Sequence, residues 1–173
     1  MAAFGSFAAP AETEAPNPIL LAGPQNDLAA LQSLDPSSVL MHSDDNGFSP
    51  LLSAVQYSNH EIIAYIVTVS QQLSVADVIN STKDSDGDGV LFHCEDVATA
   101  RLLVETYGAD IFSIGGEGLD VVAYRRKEIE EESGSMFDDD NEDDDEDDNS
   151  AERAILNYLE TVREKKASKN TPT

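Results

Sequence analysis

The sequence predicts an all-α protein, a solenoid of helix pairs joined by short hairpin turns, and three observations carry that expectation. Apolar residues fall in short segments of helical spacing, with no sustained alternation of strand type. Gly, Asn and Asp turns separate the segments. A glycine precedes a helix start three times, at Gly47, Gly87 and Gly118, with intervals of 40 and 31 residues. Intervals of that size belong to chains whose helix pairs stack on one another.

Residues 1–16 are rich in Ala, Pro, Gly and Ser, the composition of a disordered lead-in. The repeat domain is expected over residues 17–127, enough for three to four helix pairs. Residues 17–22 and 26–31 form a divergent first pair. Ser49-Pro50 starts the next helix, a capping hydroxyl followed by proline at the first helical position, and this helix runs to Tyr57. Ser58, Asn59 and His60 make a turn. Glu61 to Val67 form a helix apolar on nearly every side, as suits an element sandwiched between neighbours. Residues 97–104 form a further helix, ended by Tyr107-Gly108 with Gly108 in a left-handed cap. Gly115-Gly116-Glu117-Gly118 reads as a hairpin.

The charge is uneven. The 173 residues hold 34 acids and 10 bases, a net charge of −24, and 14 of the acids fall in residues 128–148, which contain no base. Such a run cannot bury enough apolar surface to offset its ordering entropy, so residues 128–149 are expected to be a disordered acidic segment. Asn149-Ser150 then caps an amphipathic helix over residues 150–166. Ala151, Ala154, Ile155, Tyr158, Leu159 and Val162 lie on one face, Lys165 and Lys166 in the last turn, and residues 167–173 are disordered.

Acidity of this degree excludes nucleic acid as the default partner, because phosphate binding needs clustered Lys and Arg. No basic residue precedes Lys83, so no export signal is recognisable. Apolar runs such as residues 62–64 are far short of the roughly 20 residues that cross a bilayer. The single cysteine, Cys94, fits a reducing compartment, cytoplasmic and/or nuclear.

Residues 44–63, D-D-N-G-F-S-P-L-L-S-A-V-Q-Y-S-N-H-E-I-I, resemble the ankyrin-repeat pattern D-x-x-G-x-T-P-L-H-x-A-A-x-x-G-x-x-x-h-h, with Ser49 for Thr and Leu52 for His. Residues 84–95, D-S-D-G-D-G-V-L-F-H-C-E, look like a degraded second copy in which Gly89-Val90-Leu91-Phe92 replaces T-P-L-H, and Gly108-Ala109-Asp110 matches the closing G-A-D. Glu117-Gly118-Leu119-Asp120-Val121 is a weaker third start. The first interval is about seven residues longer than the usual period, placed in the connection over residues 71–83, and the second about two shorter, placed near Glu95-Asp96.

A competing reading is a calcium loop. Asp84, Asp86, Asp88, Gly89 and Glu95 fall at positions 1, 3, 5, 6 and 12 of such a loop. The helix that should lead into it is short, and Asp and Gly are in any case favoured turn residues. His93-Cys94 lacks both the further ligands a zinc site requires, with His42 and His60 remote in sequence, and an orienting base for a nucleophile. No catalytic residue, metal ligand or cofactor is therefore assigned.

The ankyrin resemblance implies protein binding by a chain that is a monomer when unbound. The partner surface would be made by hairpin tips and inner helices, here Asp45, Asn46, Phe48, Gln56 and Tyr57, then Ser85, Asp86 and Asp88, then Glu117 and Leu119. Such a surface suits a basic protein. The plan as a whole is similar to small fungal ankyrin-repeat proteins with acidic tails, some of which are chaperones for a basic ribosomal protein, and a histone would fit the same chemistry. Neither nucleic acid nor membrane is an expected partner.

Overall fold

In a computed structural model of the chain, which describes residues 18–36, 39, 42–70, 74–134 and 150–169, short helices follow one another in antiparallel pairs. They are α1 (Pro18–Gln25), α2 (Leu28–Gln32), α3 (Pro50–Gln56), α4 (His60–Val69), α5 (Val75–Ser81), α6 (Val97–Arg101), α7 (Val121–Gly134) and α8 (Ser150–Lys169). Among the described residues the only extended pairings are two isolated bridges, Lys83 with Gly89 and Ile114 with Asp120. No described helix is long and apolar enough to cross a membrane.

The α3–α4 pair forms as its sequence dictates. Ser49 accepts the Leu52 N–H (3.3 Å) with Pro50 beside it, and Pro50 to Val55 are all buried. Ser58 stands where the ankyrin pattern has glycine, at φ 55°. That left-handed conformation is unfavourable for a side-chain-bearing residue, and here the Ser58 hydroxyl gains a hydrogen bond to the Asp96 carboxylate. Along α4, Ile62, Ile63, Ile66 and Val67 are buried on two faces.

Three hairpins share one hydrogen-bond plan and set the register of the stack. The N–H groups of Asp44, Asp84 and Gly115 donate to the carbonyls of Phe48, Asp88 and Leu119 (3.1, 3.1 and 2.9 Å). Gly47, Gly87 and Gly118 turn each hairpin at φ 73°, 92° and 77°, a region open to glycine without strain. Leu51, Leu91 and Val122 thereby become equivalent, as do Ala54, Cys94 and Arg125, and all six are buried. Neighbouring hairpins are laced by Ser85 N–H to the Asn46 carbonyl (2.8 Å) and Gly116 N–H to Asp88 Oδ1 (2.9 Å). A Cβ at Gly116 would stand 1.8 Å from the Asp86 carbonyl oxygen, so no other residue fits there.

The middle repeat departs from this plan. Its inner helix is a single turn over residues 90–93, closed by Phe92 N–H to the Gly89 carbonyl (3.0 Å). The carbonyls that a longer helix would satisfy itself are taken by Arg125, whose Nη2 donates to Phe92 O (2.7 Å) and Cys94 O (2.6 Å). Asp96 then caps α6, accepting Thr99 N–H at 2.9 Å. Beyond Arg101 the helix widens into a π-helical turn, with Tyr107 N–H donating to Leu102 O (3.2 Å). The long connection before this repeat contains α5, whose Asn80 bonds to the Gly108 carbonyl and the Asp110 N–H.

Several boundaries differ from the sequence reading. Helix α7 continues to Gly134, so residues 128–134, expected as the start of the acidic disorder, are helical. Helix α8 runs to Lys169 rather than 166 and packs on α6 and α7, with Ile155 and Leu159 fully buried. Ala151 and Ala154, expected on the same apolar face as Ile155 and Leu159, are exposed. Arg163 pairs with Asp120 at one end of α7, and Glu152 approaches Arg125 further along it (4.0 Å), so the two helices run antiparallel. The acidic residues 135–149 therefore join the two helices of the last pair. The expected disorder of residues 1–16, 135–149 and 170–173 lies outside the described residues.

Candidate partner-binding surface

The ten candidate residues lie on hairpins and on the ends of inner helices. Asp45, Asn46, Ser85, Asp86 and Glu117 are exposed at the tips. The Asp45 and Asp86 carboxylates make no hydrogen bond or ion pair among the described residues, whereas Glu117 accepts Lys127 Nζ at 2.6 Å. Phe48, Asp88 and Leu119 occupy one equivalent position and are half-buried. Phe48 packs edge-on against His93 (5.1 Å between centroids), so it is part scaffold rather than a freely presented anchor. Asp88 receives the Gly116 N–H. At the end of α3, Gln56 is half-buried and Tyr57 is 52% exposed.

Two further residues on the same face, His93 and Tyr124, were not assigned to it by sequence. Each lies six positions after its hairpin glycine, as Ser53 does. His93 Nε2 lies 3.1 Å from Asp84 Oδ2, and the Tyr124 ring meets Phe92 at 5.2 Å. Burial, reinforced by a hydrogen bond to Glu128, pushes the Tyr124 phenol well above its ordinary value. The repeated offset from glycine was the available signal, and the poor second and third repeat matches hid it.

The surface is anionic because its cations are already engaged. Lys83 donates to the carbonyls of Gly87 (3.0 Å) and Ile114 (2.9 Å), and Arg125 is buried. Arg126 pairs with Glu160 and Lys127 with Glu117. Uncompensated carboxylates at the tips then set the local field.

At the opposite edge, polar groups tie the repeats together. Thr99, fully buried, donates to Asp96 Oδ2 (2.6 Å), and His60 Nε2 lies 2.8 Å from the Thr99 hydroxyl. Burial alone would raise the Asp96 carboxyl, yet hydrogen bonds from Ser58, Thr99 and Ala98 hold it below its usual range.

The residues of the calcium reading do not converge on a cation. Asp84 Oδ1 accepts the N–H groups of Asp86 (3.0 Å) and Asp88 (2.8 Å), its Oδ2 faces His93, and Glu95 is exposed. Among the described residues no group of three or more His, Cys, Asp or Glu side chains could hold a metal ion. Cys94 is fully buried, and burial pushes its thiol up to about 12, which keeps it protonated.

No family model matches the chain. An ankyrin repeat-containing protein of Schizosaccharomyces pombe is 27% identical over 107 residues, 62% of this chain and 48% of that protein. The chain thus spans about half the length of the relative it matches. Among solved structures, a chain from the crystal structure of the yeast ribosomal protein Rps3 in complex with its chaperone Yar1 matches with a TM-score of 0.56 at 22% identity, covering 74% of this chain and 95% of that one. In fold the chain is therefore an ankyrin-repeat solenoid, and in sequence it resembles an ankyrin repeat-containing protein.

Proposed function

We propose that the protein is a non-enzymatic binding module that shields a basic client, such as a ribosomal protein or a histone, in the cytoplasm or nucleus. The observation that carries this reading is charge placement. Tip carboxylates Asp45 and Asp86 are uncompensated, and ten further acids in residues 138–148 are strung between α7 and α8. A Lys/Arg-rich client otherwise binds RNA or aggregates, and an acidic surface masks it by steering and neutralisation. The likeness to a chain from the complex of Rps3 with its chaperone supports the same class of client.

The test is suppression of aggregation. A purified basic ribosomal protein is diluted into about 0.15 M salt with RNA present, with and without an equimolar amount of the chain. The reading requires light scattering to fall and the client to elute with the chain. If neither this client nor core histones are retained in solution, the reading is wrong.

A further inference from the structure

We propose that Asn46 is a modification site, whose side-chain amide deamidates spontaneously and places a new carboxylate at the tip of the first hairpin. The effect of that charge on binding rests on the proposed capture of a basic client, whereas the reaction itself does not.

Asn46 is the only asparagine in the chain that is followed by glycine. In the reaction the Gly47 backbone nitrogen bonds to Asn46 Cγ and the bond from Cγ to the side-chain nitrogen breaks. That nitrogen leaves as ammonia, taking the Gly47 N–H proton. Water then opens the cyclic imide at either of its carbonyls, giving aspartate or its β-linked isomer. A side chain on the following residue would crowd the attacking nitrogen, and glycine has none. Nor can Gly47 be exchanged, because it holds φ 73° and a Cβ there would stand 2.6 Å from Ser85 N. The turn itself therefore maintains the reactive pair.

The structure separates Asn46 from other asparagines. Its side chain is exposed at the tip and makes no hydrogen bond among the described residues. Asn80, in contrast, donates to the Ala76 and Gly108 carbonyls and accepts the Asp110 N–H, and Asn59 donates to the Gly23 carbonyl. Those amides are held in place, away from any attacking nitrogen. At Asn46 the restraint lies in the backbone, where Gly47 N–H donates to the Asp44 carbonyl (3.0 Å). The nucleophile is engaged while the hairpin is closed, so the reaction proceeds from its transient openings. An exposed tip with few buried contacts opens at low cost.

The second hairpin shows that an aspartate fits the same turn. Asp44 Oδ1 accepts the N–H groups of Asn46 (2.9 Å) and Phe48 (2.8 Å), and Asp84 Oδ1 accepts those of Asp86 (3.0 Å) and Asp88 (2.8 Å). Asp86 thus occupies the position of Asn46 with every turn bond kept. The aspartate product leaves the stack intact and sets a second carboxylate beside Asp45, strengthening attraction for a cationic client. The β-linked product lengthens the main chain by a carbon, which disturbs the turn bond and the bond from Ser85 N–H to the Asn46 carbonyl (2.8 Å).

The experiment incubates the full chain in mildly alkaline buffer at physiological temperature and maps its peptides by mass spectrometry, with chromatography to separate the two products. Conversion should appear at Asn46 before Asn59 or Asn80. It should also outpace isomerisation at Asp86-Gly87, the same turn with a poorer leaving group. Asn46→Gln should abolish the acidic species that grows on ion exchange. An unmodified Asn46, or earlier conversion at another asparagine, overturns the site. In stopped-flow binding to a basic ribosomal protein, Asn46→Asp should raise the association rate by about twofold at low salt and leave it unchanged at high salt. Equal association at every salt concentration, with binding intact, overturns the functional consequence while leaving the modification standing. Absence of binding by both forms overturns the client reading itself.

Discussion

The repeat over residues 44–69 and the repeat over residues 84–106 share a hairpin, bond for bond, and differ in almost everything after it. The first has a seven-residue inner helix with its own Ser49 cap and a ten-residue outer helix. The second has one inner turn, a five-residue outer helix and a π-helical turn. Its missing helical turn is replaced by Arg125 of the next repeat, and its outer helix is tied by Asp96 to Ser58 of the previous one. A degraded repeat persists because its neighbours satisfy the backbone groups it leaves open, which is how stability is shared in a stack.

The largest effect that sharpens this comparison is at the intact repeat. Ile63 is fully buried in α4, and Ile63→Ala should destabilise by about 2 to 5 kcal/mol in chemical denaturation. A near-zero change would place it outside the core. Next comes the dependent repeat: Arg125→Met strands two buried carbonyls and should lose about 2 to 4 kcal/mol. Amide exchange should accelerate first in residues 90–95, since they lose their closing partner. Exchange that rises evenly along the chain would show that Arg125 is not specific to that turn.

A smaller effect is expected at the junction between the two repeats. Asp96→Ala removes the α6 cap and the Ser58 bond, for about 1 to 2 kcal/mol near neutral pH. Because the folded state holds the Asp96 carboxyl below its free value of 3.8, its stabilisation is complete above that value and fades as pH falls through the folded one. The stability gap between wild type and variant should therefore close in acid, and a gap unchanged at pH 2 to 3 would reject the assignment. The smallest expected effect is that of calcium. The Asp84 carboxylate is already engaged by Asp86, Asp88 and His93, so calorimetric titration should give no binding tighter than about 10⁻⁴ M. Micromolar binding abolished by Glu95→Gln would revive the calcium loop.

How far the sequence was legible follows from which interactions are local. Ser49-Pro50, Gly47, Gly87, Gly108 and Gly118 act within a few residues, and each takes the role its spacing implied. The role of Arg125 depends on carbonyls 31 and 33 residues away, so no local pattern announces it. The extension of α7 past Lys127 was hidden because its last two turns are mostly glutamate, a good helix former that in bulk composition reads as part of the acidic run. On the candidate surface the hairpin tips were legible from turn residues. The partial burial of Phe48 was not legible, because the ring it packs on, His93, sits in the next repeat.

The most direct test of the account is stopped-flow association with a basic ribosomal protein across a salt series, for the intact chain, for a chain lacking residues 138–148, and for Tyr57→Ala. The account predicts that the deletion slows association by about tenfold or more at low salt and less at 0.15 M, where the Debye length is about 8 Å. Tyr57→Ala should leave the association rate nearly unchanged and raise the dissociation rate. Equal association of the intact and shortened chains at every salt concentration, with dissociation unaffected by Tyr57→Ala, would contradict both the steering role of the acidic segment and the placement of the client on the inner face.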